Sequence, residues 1–417
     1  MGKNRMVWML GRWGIPVILC IAFALFVIWL NAVEKTELVS RSGQTFEKGV
    51  VTEILQDNLQ SDGSRLGQQT LRVELLTGEK AGEELITTSS AGYLFGAGCT
   101  VGMKVVVIQS VAGDNTVTTI YSQDREGAIF LFAAAYLLVL CLVGGKQGIK
   151  GALGLVFTGF CILFVYLPMV YRGCSPFWTA VLLCAVTAVA TLYLIGGPGR
   201  KTMVAVAGTI AGVVSAGLAA TVFSYATGVT GWNVSDIEDL LVLWNTNDIQ
   251  VGGLLFSGLL ISSLGAVMDL AMSISSAMSE LCVQNPSLTR RELFRSGVQV
   301  GRDMVGTDSN TLILAFAGSS VSMLLLDYAY DLPYLQIINS NNIGIAIMQG
   351  LAGSFGVVLS APATVLLGTL LFRGRQRPRA QGQEEQLNPS PAEINGNFLE
   401  GGTAADGQAI GETDTPE

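Results

Sequence analysis

The sequence contains no histidine, and only 13% of its 417 residues are charged. Without an imidazole the chain cannot build a Ser/His/Asp or Cys/His catalytic centre, a histidine-ligated zinc site or a histidine proton relay. Soluble globular proteins carry about 25% charged residues, whereas half of this chain is hydrophobic. The composition therefore predicts a membrane protein in which carboxylates, hydroxyls, amides, Lys or Arg handle any ion or proton.

The sequence also lacks a basic surface, because its net charge is −8. Residues 380–417 contain eight acids and no Lys or Arg, which leaves 24 acids against 24 Lys and Arg in the rest of the chain. This balance argues against a nucleic-acid partner. The segment 373–417 is rich in Gly, Gln, Glu and Pro, so we predict that it is a disordered acidic cytoplasmic tail.

Motifs of common enzymes and metal sites are missing as well. The seven cysteines form no CxxC pair, and the sequence has neither a P-loop nor the GxGD pattern of intramembrane aspartyl hydrolases. We therefore predict no enzymatic activity and no cofactor, and we assign no metal. Cys99 and Cys174 are the two cysteines predicted on or near the outer side, which leaves a disulfide between them open.

Eight apolar runs approach the length that crosses about 30 Å of hydrocarbon. Lys and Arg concentrate in alternate connections between these runs, and this asymmetry predicts cytoplasmic N- and C-termini. A cleaved signal peptide is the alternative for the first run, but its apolar core is long and its cleavage site poor, which favours a retained anchor. The runs are Gly14–Leu30, Ala128–Val143, Gly151–Val170, Phe177–Ile195, Met203–Thr227, Val251–Ser276, Thr311–Leu326 and Ile343–Phe372.

Residues 31–127 contain no long apolar run. Instead they have short segments rich in β-branched residues, separated by glycine-containing turns. Five such segments predict a small β-rich, OB-like barrel outside the cytoplasm. The region has 13 acids against 8 bases and little aromatic content, so oligonucleotide binding is disfavoured. A structural cap or an assembly surface is the simpler interpretation.

Polar residues interrupt the sixth apolar run at helical spacing. Asp269, Ser273, Ser276 and Glu280 follow one another at intervals of 4, 3 and 4 residues, so they lie on one face of a helix. A carboxylate inside a bilayer faces protein or a water-filled cavity. The simpler alternative is a helix end that reaches cytoplasmic water.

A second polar group lies at the start of the seventh apolar run: the pair Arg302 and Asp303, and then Thr307, Asp308, Ser309, Asn310 and Thr311. Side chains of this kind cap the free N–H groups of a helix start, so we predict a discontinuous helix whose N-terminus points at a bound solute or ion. Simple capping is the alternative.

The last apolar run contains small residues and Pro362, and a helix break at Pro362 that lines a cavity is the alternative to simple helix packing. Its glycines, and the pair Gly208 and Gly212 of the fifth run, indicate close helix packing.

The segments Met268–Ser276, Gly301-Arg302-Asp303, Gly306-Thr307 and Asn310–Leu314 resemble the YibE/F-like family of bacterial multi-pass membrane proteins. The resemblance extends from the β-rich region through the eighth run. It implies a bacterial cytoplasmic membrane protein and supplies no activity. Asp308-Ser309 stands where that family tends to have a Met-Thr pair.

The predicted fold is thus an α-helical polytopic membrane protein of about eight transmembrane helices with a small OB-like extracytoplasmic domain. Its divisions are the N-terminus and first helix (1–30), the β-rich domain (31–127), a seven-helix membrane domain (128–372, with the signature region 268–320) and the tail (373–417).

The favoured function is a secondary transporter or permease for a small solute or cation. The alternative is a non-transporting scaffold or assembly component whose outer domain binds a partner. The expected partners of the protein are the lipid bilayer and either a partner membrane protein or a second copy of the chain. The predicted binding residues are Asp269, Ser273, Arg302, Asp303, Thr307, Asp308 and Asn310.

Overall fold

A computed structural model describes residues 21–33, 43–61, 63–90, 96–112, 115–234, 237–247 and 249–372. A short helix α1 (Ile21–Asn31) precedes five strands: β1 (Gln44–Gln56), β2 (Gln68–Leu75), β3 (Glu84–Ser90), β4 (Lys104–Ala112) and β5 (Asn115–Gln123). The remaining described residues are mostly helical. The predicted tail and the start of the first apolar run lie outside the described residues.

The helices follow the strands in chain order. They are α2 (Glu126–Cys161), a π-helical turn (Ile162–Tyr166), α3 (Leu167–Tyr171), α4 (Pro176–Gly196), α5 (Arg200–Thr227), α6 (Ile237–Asn247), a 3-10 turn (Val251–Gly253), α7 (Leu254–Gln284), α8 (Arg290–Ser319), α9 (Val321–Ala329), α10 (Tyr334–Ile338) and α11 (Asn341–Leu371).

The five strands close into a barrel in the order β1-β2-β3-β5-β4. Along β2, Leu71, Val73 and Leu75 are buried while the residues between them are more exposed, which is the period of two expected for a sheet with one face inside. All strand pairs are antiparallel except β3 with β5, which are parallel and pair at Thr88 and Thr119. The predicted small barrel is confirmed.

A polar network closes one end of this barrel around the buried amide of Gln69. Its Nε2 donates to Asp57 Oδ1 at 2.8 Å and to the Cys99 carbonyl at 3.3 Å, and its Oε1 accepts from the Cys99 N–H at 2.8 Å. Arg65 Nη1 also donates to Asp57 Oδ1, at 2.7 Å. Cys99 is buried and Cys174 exposed, and both thiols are free, so the disulfide left open by the sequence is not formed.

Helix α1 is fixed to the helical body at its C-terminal end. Arg172 donates to the carbonyls of Trp29 (2.7 Å) and Leu30 (3.2 Å), and its guanidinium carbon lies 4.3 Å from the centre of the Trp29 ring. Asn31 Nδ2 donates to the Phe164 carbonyl at 2.8 Å. The Phe164 carbonyl lies four residues before Pro168, which has no N–H to donate to it. Asn31 therefore satisfies a carbonyl that the helix itself leaves without a partner.

The direction of the chain changes inside α2, although the helical segments on the two sides follow each other without a gap. Gly145 has φ 52° and ψ −133°, and a Cβ added to Gly148 would collide with the Leu140 carbonyl. The residues before and after Gly145 therefore run in different directions, as the two predicted spans on either side of it require. None of the residues from Glu126 to Gly144 is buried, and all except Leu137, Leu140 and Cys141 are exposed.

Glycines allow α5 and α11 to approach each other closely. A Cβ on Gly212 would lie 2.7 Å from Ser360 Cβ and 2.9 Å from the Gly356 carbonyl oxygen, and one on Gly356 would lie 2.8 Å from Ala216 Cβ. A Cβ on Gly208 would collide with Thr364. The expectation that these glycines serve helix packing is confirmed.

Within the described chain, five helical segments are long and apolar enough to cross a membrane, or six if the bent pair α8 and α9 counts as one. The protein is therefore mostly helical with several apolar helices that fit a membrane. The alternative of a break at Pro362 is wrong, since helix α11 continues through this residue. The seventh run is not one straight helix, because a 56° bend divides it between α8 and α9.

Replacing Gly212 by Leu should weaken the α5–α11 contact. The new side chain has Val267, Ser360 and a backbone carbonyl in its way, and overpacking of this kind costs about 1–3 kcal/mol. Thermal unfolding in detergent measures the loss. Gly159→Leu is the control, because a Cβ there meets nothing within 4 Å. Equal melting temperatures for the two variants would contradict the proposed packing.

Asp57 should make barrel stability depend on pH. The hydrogen bond from Gln69 and then those from Arg65 and the Asn58 N–H hold the pKa of this carboxyl below its usual range. A lowered folded-state pKa gives stability that is complete above the unfolded value of about 3.9 and is lost as pH falls through the folded value. Asp57→Asn should remove this acid dependence, as measured by amide exchange of the strand peptides, and Glu79→Gln should keep it.

Candidate site between helices 7 and 8

Contacts at the beginnings of α4 and α5 mark the two ends of the helix bundle. At one end, Ser275 of α7 donates to the Lys201 carbonyl at 2.7 Å, beside the basic residues that begin α5. At the other end, a Cβ on Gly253 would lie 3.2 Å from Pro176 Cδ, where α4 begins. Ser275 follows Gly253 by 22 positions, which corresponds to about 33 Å of helix. Ser275 thus marks the basic end of α7.

Helix α7 has four sides with different surroundings. Helices α5 and α11 pack behind it, and α4 and α8 pack on its two flanks. Because α4 makes no contact of comparable extent with α8, these two helices do not close over α7. The fourth side is open, and its exposed residues are Gly258, Ser262, Gly265 and Asp269. Asp269 lies six residues from Ser275, about 9 Å inside the basic end. Ser273 lies one turn nearer that end and is half-buried.

Helix α8 turns one face toward α7 and α11. Leu293, Gly297, Gly301 and Leu312 are buried on this face. A Cβ on Gly301 would lie 3.4 Å from both Ile274 and Ala361, which places this residue level with the basic end of α7. Asp308 and Ser309 continue the helical spacing of these buried residues, and both are half-buried.

The structure brings two of the predicted carboxylates together. Asp269 and Asp308 lie close enough to interact electrostatically. Asp308 Oδ2 and Ser309 Oγ are buried without any hydrogen-bond partner, although the Ser309 carbonyl accepts from Ser354 of α11 at 3.3 Å. Unsatisfied buried polar atoms are uncommon in native proteins, so this is a place where a bound proton, ion or ligand would satisfy free hydrogen-bonding capacity.

The other predicted residues of α8 lie away from this pair. Arg302, Asp303, Thr307 and Asn310 are exposed on the outward side of the helix. Asp303 accepts a hydrogen bond from Gln299 of the same helix at 3.3 Å. Successive residues differ by about 100° around a helix axis, which is why neighbours in sequence separate onto different faces.

The predicted helix start at Thr307–Thr311 is wrong. Thr289 caps α8 instead: it accepts from the Glu292 N–H at 3.3 Å, and Glu292 accepts in return from the Thr289 N–H at 2.9 Å. The helix then runs from Arg290 to Ser319 without interruption. The polar residues therefore belong to the middle of a helix, and the N-terminus of α8 is 17 residues away from Thr307.

The open side of α7 and the α11 serine were missed by the sequence reasoning. Gly258, Ser262 and Gly265 continue the spacing of the recognised polar residues toward the other end of α7, at steps of 4, 3 and 4 up to Asp269. This signal was present in the sequence. Nothing in the local pattern around Ser354 indicated that it would contact the Ser309 carbonyl.

The donor set limits the chemistry of the site. Among the described residues, no group of three or more His, Cys, Asp or Glu side chains could hold a metal ion. Two carboxylates with serine hydroxyls nearby suit a proton, a monovalent cation or an ammonium group, because all three are attracted by negative charge and by oxygen ligands.

A family model described as YibE/F-like protein matches residues 132–374. The match covers more than half of the chain, including the site, and leaves the barrel outside it. No curated protein and no solved structure matches the chain.

Asp308→Asn should stabilise the protein at neutral pH. The substitution removes the repulsion between two nearby carboxylates, so we expect a melting temperature a few degrees above that of the wild type. Thermal unfolding in detergent at pH 7.5 and pH 4 tests this, with a smaller gain expected at pH 4. Asp303→Asn is the control; an equal gain there would contradict the pairing.

Proposed function

The chain belongs to the YibE/F-like family, and from this premise and the geometry of the site we propose that it is a secondary transporter or permease. Its cargo or coupling ion is a small cation or a proton held by Asp269 and Asp308. The observation that carries the proposal is the approach of these two carboxylates, one from α7 and one from α8, beside buried oxygens that lack partners. Ser273, one helical turn from Asp269 on α7, provides a further oxygen.

The depth of the pair supports a role in transport. Lys201 lies at the same end of the bundle as Ser275. Lys and Arg residues next to a transmembrane helix lie at the level of the cytoplasmic headgroups. Asp269 is then about 9 Å inside the bilayer. A carboxylate within hydrocarbon costs about 2.5–3.5 kcal/mol on insertion scales, and such residues mark ion pathways and proton relays.

The finer topology is part of the proposal. We propose eight crossings: the first apolar run, the two halves of the stretch Glu126–Tyr171 on either side of Gly145, α4, α5, α7, α8 and α11. In this arrangement α9 and α10 lie at the outer surface. Both termini are cytoplasmic, the barrel is extracytoplasmic, and the membrane is the bacterial plasma membrane.

The residues at the margins have lesser roles in this proposal. Arg302 and Asp303 follow Gly301, which is level with Ile274 near the basic end, so they contact water or headgroups rather than the cargo. Thr307 and Asn310 are exposed on the outward side of α8, away from the pair, so they do not contact the cargo.

Ion flux through proteoliposomes tests the proposed function. We expect an imposed pH or sodium gradient to drive proton movement in the wild type, detected with pyranine trapped inside, and radioactive sodium uptake under the same gradients. Asp269→Asn and Asp308→Asn should each reduce the flux at least tenfold, because either change removes one of the two charges that attract the cation.

Asp303→Asn is the matched control, since it neutralises a carboxylate on the same helix that faces outward. Its flux should equal that of the wild type. If both site variants transported as well as this control, the carboxylate pair would have no role in transport.

A further inference from the structure

The open side of α7 forms a groove in the surface of the helix bundle. Its floor consists of Gly258, Ser262, Gly265 and Asp269, and α4 and α8 stand on either side. A Cβ added to Gly258 or Gly265 would meet nothing within 4 Å. Asp269 follows Gly258 by 11 positions, so the floor is about 16 Å long.

This groove differs from the rest of the outward surface of the bundle. The outward positions of neighbouring helices carry large apolar side chains that fit hydrocarbon: Leu153, Leu182, Val186, Leu218 and Val222 are all more than 40% exposed. The α7 floor instead has two glycines, a serine and a carboxylate. Lipid chains cannot satisfy a carboxylate, whereas a molecule with an apolar chain and a polar head can occupy the whole groove.

The end of the groove has free hydrogen-bonding capacity. Asp269 and the neighbouring Asp308 supply negative charge, while Asp308 Oδ2 and Ser309 Oγ are buried without partners. Both residues belong to α8, one wall of the groove, and these two atoms have almost no exposed surface. A helix of about 10 Å diameter is too wide to reach such atoms, whereas a single head group is small enough to approach them.

We propose that the groove binds an amphiphile from the bilayer: an apolar chain lies over Gly258, Ser262 and Gly265, and a cationic or hydroxyl head group donates hydrogen bonds to Asp269 and Asp308. This inference rests on the proposed function and names its substrate class. A primary amine satisfies the site best because it supplies both charge and donors.

Binding of radiolabelled dodecylamine to the full-length protein in nanodiscs tests the proposal. Saturable binding of about one amine per chain is expected in the wild type. Gly265→Leu fills the groove and Asp269→Asn removes its charge, and each should weaken binding at least tenfold. Dodecanol should compete weakly and dodecanoate not at all, because a carboxylate is repelled by the pair.

Two controls match these variants. Gly159→Leu places the same side chain at another exposed glycine with open space, and Asp303→Asn neutralises an outward carboxylate. Both should bind dodecylamine as the wild type does. Equal binding by Gly265→Leu and Gly159→Leu would overturn the proposal. So would a native mass showing a dimer that Gly265→Leu separates, since a second copy would then occupy the groove.

The same variants separate this inference from the proposed function. If Asp269→Asn abolishes ion flux while Gly265→Leu changes neither flux nor amine binding, the amphiphile proposal fails and transport of a small cation stands. If neither aspartate variant changes flux but both groove variants lose amine binding, the groove binds an amphiphile and the ion-transport proposal fails.

Discussion

The close approach of α5 and α11 is the contact on which the arrangement of the helix bundle depends. Between apolar helices in a membrane the hydrophobic effect supplies little attraction, so van der Waals contact at short range has to hold them together. Gly208, Gly212 and Gly356 provide it, because a side chain at any of them would occupy space now filled by the facing helix. With α5 and α11 joined in this way, both pack against the back of α7.

That contact also decides which part of α7 is left uncovered. Its back is taken by α5 and α11 and its sides by α4 and α8, so the remaining side faces outward. The residues on that side are small or acidic. The packing that stabilises the bundle therefore also exposes the groove and sets Asp269 beside Asp308 at its end.

Those parts of the fold that depend on local periodicity could be predicted from the sequence. The alternation of Leu71, Val73 and Leu75 with polar residues is a property of β2 alone, and the spacing of Gly208 and Gly212 is a property of α5 alone. The course of α8 could not be predicted. An N-cap is worth about 1 kcal/mol, whereas breaking α8 at Thr307 would forfeit the packing of Gly297, Gly301 and Leu312. Tertiary contacts therefore override the capping preference of residues 307–311.

The same reasoning explains why the site contains Asp308 and excludes Asp303. Both are acids in one helix, but only the phase set by Gly297, Gly301 and Leu312 turns Asp308 toward α7, and that phase is established by contacts with other helices. In the described part of the chain, no Lys or Arg forms an ion pair with Asp269 or Asp308. Two nearby carboxylates without a cation repel each other and are costly away from water. A proton or a positively charged ligand would neutralise their charge. Under the proposed transport function the two carboxylates themselves bind and release it, because the chain has no histidine.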